Sequence, residues 1–334
     1  MRIVEYTPNE FAALERAVAK MGRGRGLGIR GLVDHYYSCN PWGKLWLAID
    51  ENKGEIVGTL GLDSIPFLIR EQVVTMGFGS NFHTLVEGVG GLLFLRWIRS
   101  CRHHLTYNSS EQTRKITAAQ NWKPLFGVVS LSYNSPLAFE TGSTSPLKLA
   151  KHLAKRFLRK PPLSQIHPIA GRRSDSSITV EQFETWTPER LDFSSPFDFR
   201  VAPDLDYFRW RFDPEWPEFR YHLFSLQRDG VICGLVILHY CRDQVLVVHA
   251  DGTDSRTIGE GILLALSKIE GPPVYYLATS VPEVASLCES VGFRRNREES
   301  RLFFSPRFPI EQVRAPLINF GLGDNDLRVE YLAS

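Results

Sequence analysis

The sequence predicts an α/β fold of mixed α+β sheets, arranged as two tandem domains with a helical linker between them. Two observations carry that prediction. Short runs rich in β-branched and aromatic residues alternate with stretches of helical apolar spacing. The alternation then crosses a segment rich in Ser, Thr, Pro and basic residues and begins again with the same landmarks. At 334 residues the chain is long enough for two cores of ordinary domain size.

In chain order, Arg2–Tyr6 reads as a strand. Thr7 or Asn9 then caps a helix whose Phe11, Leu14, Val18 and Met21 share a face. The stretch MGRGRGLGIRG sets Gly26, Gly28 and Gly31 at the spacing of a dinucleotide-binding loop, but that loop must follow a strand and this one follows a helix. A basic lip or a solvated loop remains. Leu45–Ile49 and Ile56–Leu62 flank the turn Glu51-Asn52-Lys53-Gly54, a hairpin signal. Gln72–Leu85 reads as a strand, Gly88–Arg102 as an apolar helix, His104–Asn108 as a strand and Ser110–Gln120 as a helix. Phe126–Tyr133 closes a first domain of residues 1–133.

Residues 134–200 read as the linker. Within it, PLKLAKHLAKRFLRK places Lys148, Lys151, Lys155 and Arg159 opposite Leu149, Leu153 and Leu158. That is the solvated face of a packed helix or a surface for an anionic membrane. The second domain takes residues 201–334. Tyr207–Phe212 matches Asp34–Tyr37 in preceding a hairpin, here with the tight turn Asp229-Gly230. Gly58 in EIVGTL pairs with Gly234 in VICGLV, and Asn121-Trp122 with Gly292-Phe293, at nearly the same separation in each case. A duplicated domain explains both pairs.

Composition narrows the function. Apolar residues make up 43% and charged residues 23%, and the formal net charge is +2. That charge is too small for a typical nucleic-acid-binding domain. The five cysteines form no CxxC pair and no ligand spacing with histidine, so no metal is expected and a reducing compartment is. No apolar run nears the roughly 20 residues that span a bilayer, and MRIVEYTPNEF lacks the core of a secretory signal. A cytoplasmic protein is expected, with no G-x-S-x-G hydrolase elbow.

The stretch GFGSNFHTLVEGVGGLLFLRWIR organises the first half. It runs from strand through Gly88, Gly90 and Gly91 into a helix, leaving the first-turn N–H groups open to an anion. Together with the order of elements and the late turns Asn121-Trp122 and Gly292-Phe293, this resembles the GNAT superfamily of acyl-CoA transferases, over roughly Met1–Tyr133 and Arg200–Pro306. The resemblance implies that acetyl-CoA or another acyl-CoA is the cosubstrate. Its pantetheine arm would lie along a splayed strand at Phe82, Thr84, Leu85 and Val86. Its pyrophosphate would sit on the turn Glu87–Leu92, at Gly88, Val89, Gly90 and Gly91. The family pattern Arg/Gln-x-x-Gly-x-Gly/Ala keeps only its first glycine here, at Gly90, and Glu87 replaces a basic or amide residue.

The second half departs further, since DGTDSRTIGEG places Asp251, Asp254 and Glu260 where an anion would sit. One active site per chain is expected, with the second domain building the acceptor pocket. The tandem arrangement is similar to sugar-nucleotide N-acyltransferases of surface-polysaccharide pathways and to Fem-like aminoacyl transferases. The SNFHTL strand, the Trp/Tyr-rich segments and the tail GLGDNDL incline the reading to the first, with a nucleotide-linked amino sugar as acceptor. A non-catalytic binding module is the remaining alternative.

Acyl transfer needs a neutral amine, a polarised carbonyl and a donor to the departing thiolate. His83 is the candidate base, with Asn81 beside it, and strand alternation sets His83 and Leu85 opposite Phe82 and Thr84. A structural histidine, or water as the base, is the alternative. The tyrosine that many GNAT enzymes use on the thiolate is replaced by Thr117 and Cys288, which leaves Tyr107, with Asn108 and Ser109, near the sulfur. Tyr36, Tyr37, Trp42, Trp210 and Arg211 are candidates for the acceptor, or for the core.

Overall fold

The structure, a computed structural model, describes residues 1–22, 25–38, 40–107, 111–125, 128–134, 178–216, 219–241, 244–269, 274–295, 302–314 and 316–317. The basic stretch 146–160, Asn108, Ser109 and the tail GLGDNDL lie outside them.

In the first half β1 (Arg2–Glu5) leads through a 3-10 turn to α1 (Phe11–Met21). Gly22, in a left-handed conformation (φ 63°), stops α1, and its N–H bonds the Val18 carbonyl. The glycine-rich stretch becomes a 3-10 turn, Arg25–Gly28, before α2 (Arg30–Tyr37). The predicted hairpin forms as β2 (Gly43–Asp50) and β3 (Glu55–Ile69), with Gly54 at φ 64° closing its turn. β3 runs seven residues past the predicted end at Leu62 and turns at Arg70 into β4 (Gln72–Thr84). Its extension is held on both edges, by β4 on one side and by β9 (Phe199–Val201) on the other. Next come α3 (Val89–Ile98), β5 (His103–Tyr107), α4 (Glu111–Ala119) and β6 (Lys123–Leu125).

The second half repeats this order. α5 (Leu205–Arg211) corresponds to α2 and precedes the hairpin of β10 (Arg220–Arg228) and β11 (Val231–Cys241). Asp229 and Gly230, both at positive φ (52° and 80°), form the tight turn that suits twisted strands. β12 (Gln244–Gly252), α6 (Ser255–Ser267), β13 (Val274–Thr279) and α7 (Pro282–Ser290) complete the run, with β14 (Arg294–Arg295) and β15 (Leu302–Phe304).

Two mixed sheets result, and each takes a strand from the other half. The first sheet runs β1-β2-β3-β4-β5-β15-β6, so β15 of the second half lies between β5 and β6. The second runs β14-β7-β13-β12-β11-β10-β8, with β7 (Val129–Asn134) beside β13 and β8 (Ile178–Phe183) at its edge. The expectation that Phe126–Tyr133 closes the first half's own sheet is therefore corrected: β7 pairs with β13 across the molecule. The packing explains it. Tyr133 is buried against Tyr275 and Phe293 of the second half, while Phe304 of β15 stacks on Phe308 near Phe199 in the first sheet.

Three apolar clusters separate four layers. α3 and Trp122 cover the outer face of the first sheet through Leu93, Phe94 and Trp97. α6 and α7 cover the outer face of the second through Ile258, Ile262 and Val284. Between the sheets lies one continuous core, in which Tyr36, Phe67 and Phe78 meet Phe208, Phe219 and Ile237. No helix among the described residues is long and apolar enough to cross a membrane.

Candidate functional site

The first feature of the site is a gap between strands. β4 and β5 pair in parallel only at Met76, Gly77 and Phe78. Beyond Phe78 the strands separate, because β5 turns its other edge to β15 and β4 is bent by a bulge. Thr59 pairs with His83 and Gly61 with Ser80, so Asn81 and Phe82 oppose the single residue Leu60. Asn81 takes φ 49°, a left-handed conformation that Asn tolerates better than most residues. Bulges of this kind re-aim side chains and end pairing. The backbone of Gly79–Thr84 consequently offers an edge with no strand beside it among the described residues.

The second feature is the start of α3. Gly88 occupies the cap position at φ 83°, and no side chain caps the helix. A Cβ added at Gly91 or Gly88 would meet nothing within 4 Å, so the backbone is open there. Gly90 is different: its added Cβ would lie 3.3 Å from the Phe82 ring and 3.7 Å from the Thr84 methyl. Phe82 and Thr84 therefore face α3. Val89 is buried beneath the turn, while Leu85, Val86 and Glu87 stand exposed at its rim.

The opposite face of β4 looks into the junction between the halves. Ser80 opposes Gly61 there, and a Cβ on Gly61 would meet the Tyr37 hydroxyl at 2.5 Å and Ser80 Oγ at 2.6 Å. Asn81 Nδ2 donates to that hydroxyl at 2.8 Å, and Thr59 Oγ1 donates to the Asn81 carbonyl at 2.8 Å. His83, half-buried and opposite Thr59, shares this face by alternation. Tyr107 ends β5 on the same side, its hydroxyl 3.4 Å from Ser130 Oγ of β7. Beneath α3, His104 Nε2 donates to the Trp97 carbonyl at 2.9 Å, and burial holds its pKa down to about 4.

The five residues selected for an acceptor converge at this junction. Trp42 and Trp210 stack at 5.5 Å between ring centres, Tyr36 meets Trp210 at 5.7 Å, and Tyr37 lies 5.9 Å from Tyr36. The two tryptophans are partly buried against the core, whereas Tyr36, Tyr37 and Arg211 are fully buried. Arg211 crosses from the second half to Asp63 of β3 at 3.7 Å, donates to the Tyr221 hydroxyl at 2.8 Å and lies over the Tyr36 ring. Sequence reasoning missed Asp63 and Tyr221. Asp63 carried a signal: it is the lone carboxylate inside the apolar run IVGTLGLDSIPFLI, where a buried charge requires a partner.

The corresponding place in the second half is filled. Gly234 pairs with Gly252 as Gly58 pairs with Thr84, which puts Asp251 at the position of His83. Asp251 is buried and accepts from Arg200 Nη1 at 2.8 Å, Ser195 Oγ at 2.7 Å and the Gly252 N–H at 2.7 Å. Burial pushes its carboxyl upward and Arg200 opposes the shift. The start of α6 is closed as well. Asp254 accepts from the Thr257 N–H and hydroxyl, each at 2.7 Å, and pairs with Arg228 at 3.6 Å. Among the described residues, no group of His, Cys, Asp and Glu is placed to hold a metal ion.

No protein-family model matches the sequence, and no curated protein matches it. Solved structures do match in fold. A protein from Enterococcus faecalis V583, described as conserved, of unknown function and a probable N-acyltransferase, matches with a TM-score of 0.56 at 8% identity, covering 91% of this chain and 72% of its own. A tandem GNAT protein from the clavulanic acid biosynthesis pathway matches with 0.52 at 12% identity, covering 92% and 99%. Saccharomyces cerevisiae N-myristoyltransferase, solved with myristoyl-CoA, matches with 0.56 at 9% identity, covering 98% and 83%. The likeness is one of fold: a tandem pair of GNAT-type mixed sheets.

Proposed function

We propose that this chain is an acyl-CoA-dependent N-acyltransferase with a single active site on its first half. The reading rests above all on one conjunction, the open edge of β4 beside the uncapped, glycine-lined start of α3. A pantetheine arm has amides that suit an unpaired strand edge, and a pyrophosphate suits free N–H groups at a helix start. The fold shared with an N-myristoyltransferase and a tandem GNAT protein agrees with this. Residues 1–133 would bind the donor, and 201–334 would complete the acceptor side across the segment 134–200.

Acyl-CoA supplies the thioester carbonyl and the thiolate leaving group. In this reading Phe82, Thr84, Leu85 and Val86 line the arm, and the N–H groups from Gly88 to Gly91 hold the pyrophosphate, with Val89 contributing only its backbone. The amine approaches from the junction face, where Asn81 orients it and His83 accepts its proton as the C–N bond forms. Tyr107 would donate a proton to the sulfur as the C–S bond breaks. Trp42 and Trp210, partly buried rings stacked at the junction, suit a nucleotide-linked amino sugar, whose base and apolar sugar face both stack on aromatics. Tyr36, Tyr37 and Arg211 support that pair from below. Cytoplasmic acyl-CoA would meet the donor requirement.

The experiment is a thiol-release assay with acetyl-CoA over a panel of amines that includes nucleotide-linked amino sugars. The reading expects acceptor-dependent release, and His83→Ala should lower turnover about 10²–10⁴-fold, the usual cost of losing a general base. Release that stays at background with every amine would remove the acyltransferase reading. Full activity in His83→Ala would transfer the proton to water.

A further inference from the structure

The outer face of α3 is apolar where a surface helix is ordinarily polar. Seven large hydrophobic residues are exposed among the described residues, and four of them surround α3: Leu85 (41%), Val86 (45%), Leu92 (45%) and Leu95 (41%). Leu92 and Leu95 stand three residues apart on one face, and Arg96 and Arg99 follow each leucine by four residues, so the cations continue the same stripe. Both arginines are exposed and form no ion pair among the described residues. From Leu85 to Arg102 the sequence holds three arginines and the single carboxylate of Glu87.

We propose that this face docks the protein onto an anionic lipid bilayer. Leu92 and Leu95 would enter the boundary between headgroups and acyl chains, while the arginines reach up to lipid phosphates on flexible stems. The charge decides for this occupant. A second copy of the same face would set Arg96 and Arg99 against their own kind, whereas an anionic leaflet attracts each of them. The mouth of the β4–β5 gap then lies at the lipid surface. Docking itself does not depend on the acyltransferase reading.

Flotation with vesicles of phosphatidylcholine and phosphatidylglycerol in a two-to-one ratio, without any acyl-CoA, tests the proposal. The full chain is expected to float with these vesicles and to stay behind with pure phosphatidylcholine. Leu95→Asp should abolish flotation, and Arg96→Gln with Arg99→Gln should weaken it about 10–30-fold. Circular dichroism confirms that each variant is folded. No flotation by the parent chain, or flotation unchanged in Leu95→Asp, overturns the proposal. A dimer in solution that Leu95→Asp disperses, without flotation, overturns it in favour of self-association. A failed thiol-release assay leaves these outcomes untouched.

Discussion

The strand-to-helix turn before α3 and its counterpart before α6 occupy matching places in the two halves, yet they use their polar groups in opposite ways. Before α3 the cap is Gly88, and among the described residues no side chain caps the N–H groups and no strand lies along the edge behind them. Before α6 the cap is Asp254, which satisfies Thr257, and near the end of the strand behind it Asp251 is locked to Arg200 and Ser195. Arg200 belongs to β9, a strand of the first sheet, so the closed turn also fastens the halves together. On the proposed reading the duplicated fold divides labour: the open turn keeps donors without a side-chain cap among the described residues for a ligand, while the closed one exchanges them for stability. Asp251 and His83, register equivalents, mark that division residue by residue.

Substitutions at those two positions should separate most sharply. Asp251→Ala leaves Arg200 buried without its partner, which should cost about 3–5 kcal/mol in urea unfolding. His83→Ala should leave unfolding within about 0.5 kcal/mol of the parent, as for a partly exposed side chain, and should act on turnover instead. Equal stability losses at both would erase the distinction.

Next in size is Gly91→Glu, which adds a carboxylate at the open turn without a clash, since its Cβ meets nothing within 4 Å. Acyl-CoA affinity measured by titration should fall about 100-fold, in line with the several kcal/mol that juxtaposed like charges cost. Unchanged affinity would move the pyrophosphate elsewhere.

Acid should weaken both halves through buried neutral histidines. Burial, aided by Arg200, holds His249 down to about 3, and burial holds His104 down to about 4. Their folded values lie below the unfolded 6.5, so the unfolded chain binds more protons and stability is lost as pH falls from 6.5 toward those values. At pH 5 each should cost about 2 kcal/mol. Urea midpoints at pH 7 and pH 5 read the sum, and an unchanged midpoint would contradict it.

The smallest effect belongs to Asp254→Ala. Loss of the cap should cost about 1 kcal/mol and should create no second CoA site, because Asp251 and Arg200 still fill the strand end. Appearance of a second site would mean that the cap alone closes this turn.

Much of this was legible in the sequence, and for identifiable reasons. The hairpins were fixed by turn chemistry at Gly54 and Asp229-Gly230, and the open turn by the glycines after His83. Selecting Tyr36, Tyr37, Trp42, Trp210 and Arg211 from two distant segments located a real cluster, because aromatic residues before each hairpin must pack somewhere between duplicated sheets. The exchange of β7 and β15 was not legible. Their alternating apolar residues fit either sheet, and nothing local to Leu131 or Phe304 states which neighbour they meet. Asp63 went unread because a lone carboxylate acquires meaning only when Arg211 arrives from another element. Asn81 was chosen as a neighbour of His83, but its left-handed bulge, which opens the strand edge, emerges only from pairing with Thr59 and Gly61.

Isothermal titration of acetyl-CoA into the parent chain and into Gly91→Glu tests the division between the two turns most directly. One site per chain, lost or greatly weakened in Gly91→Glu, is the predicted result. Two sites per chain, or one site indifferent to Gly91→Glu, would contradict it.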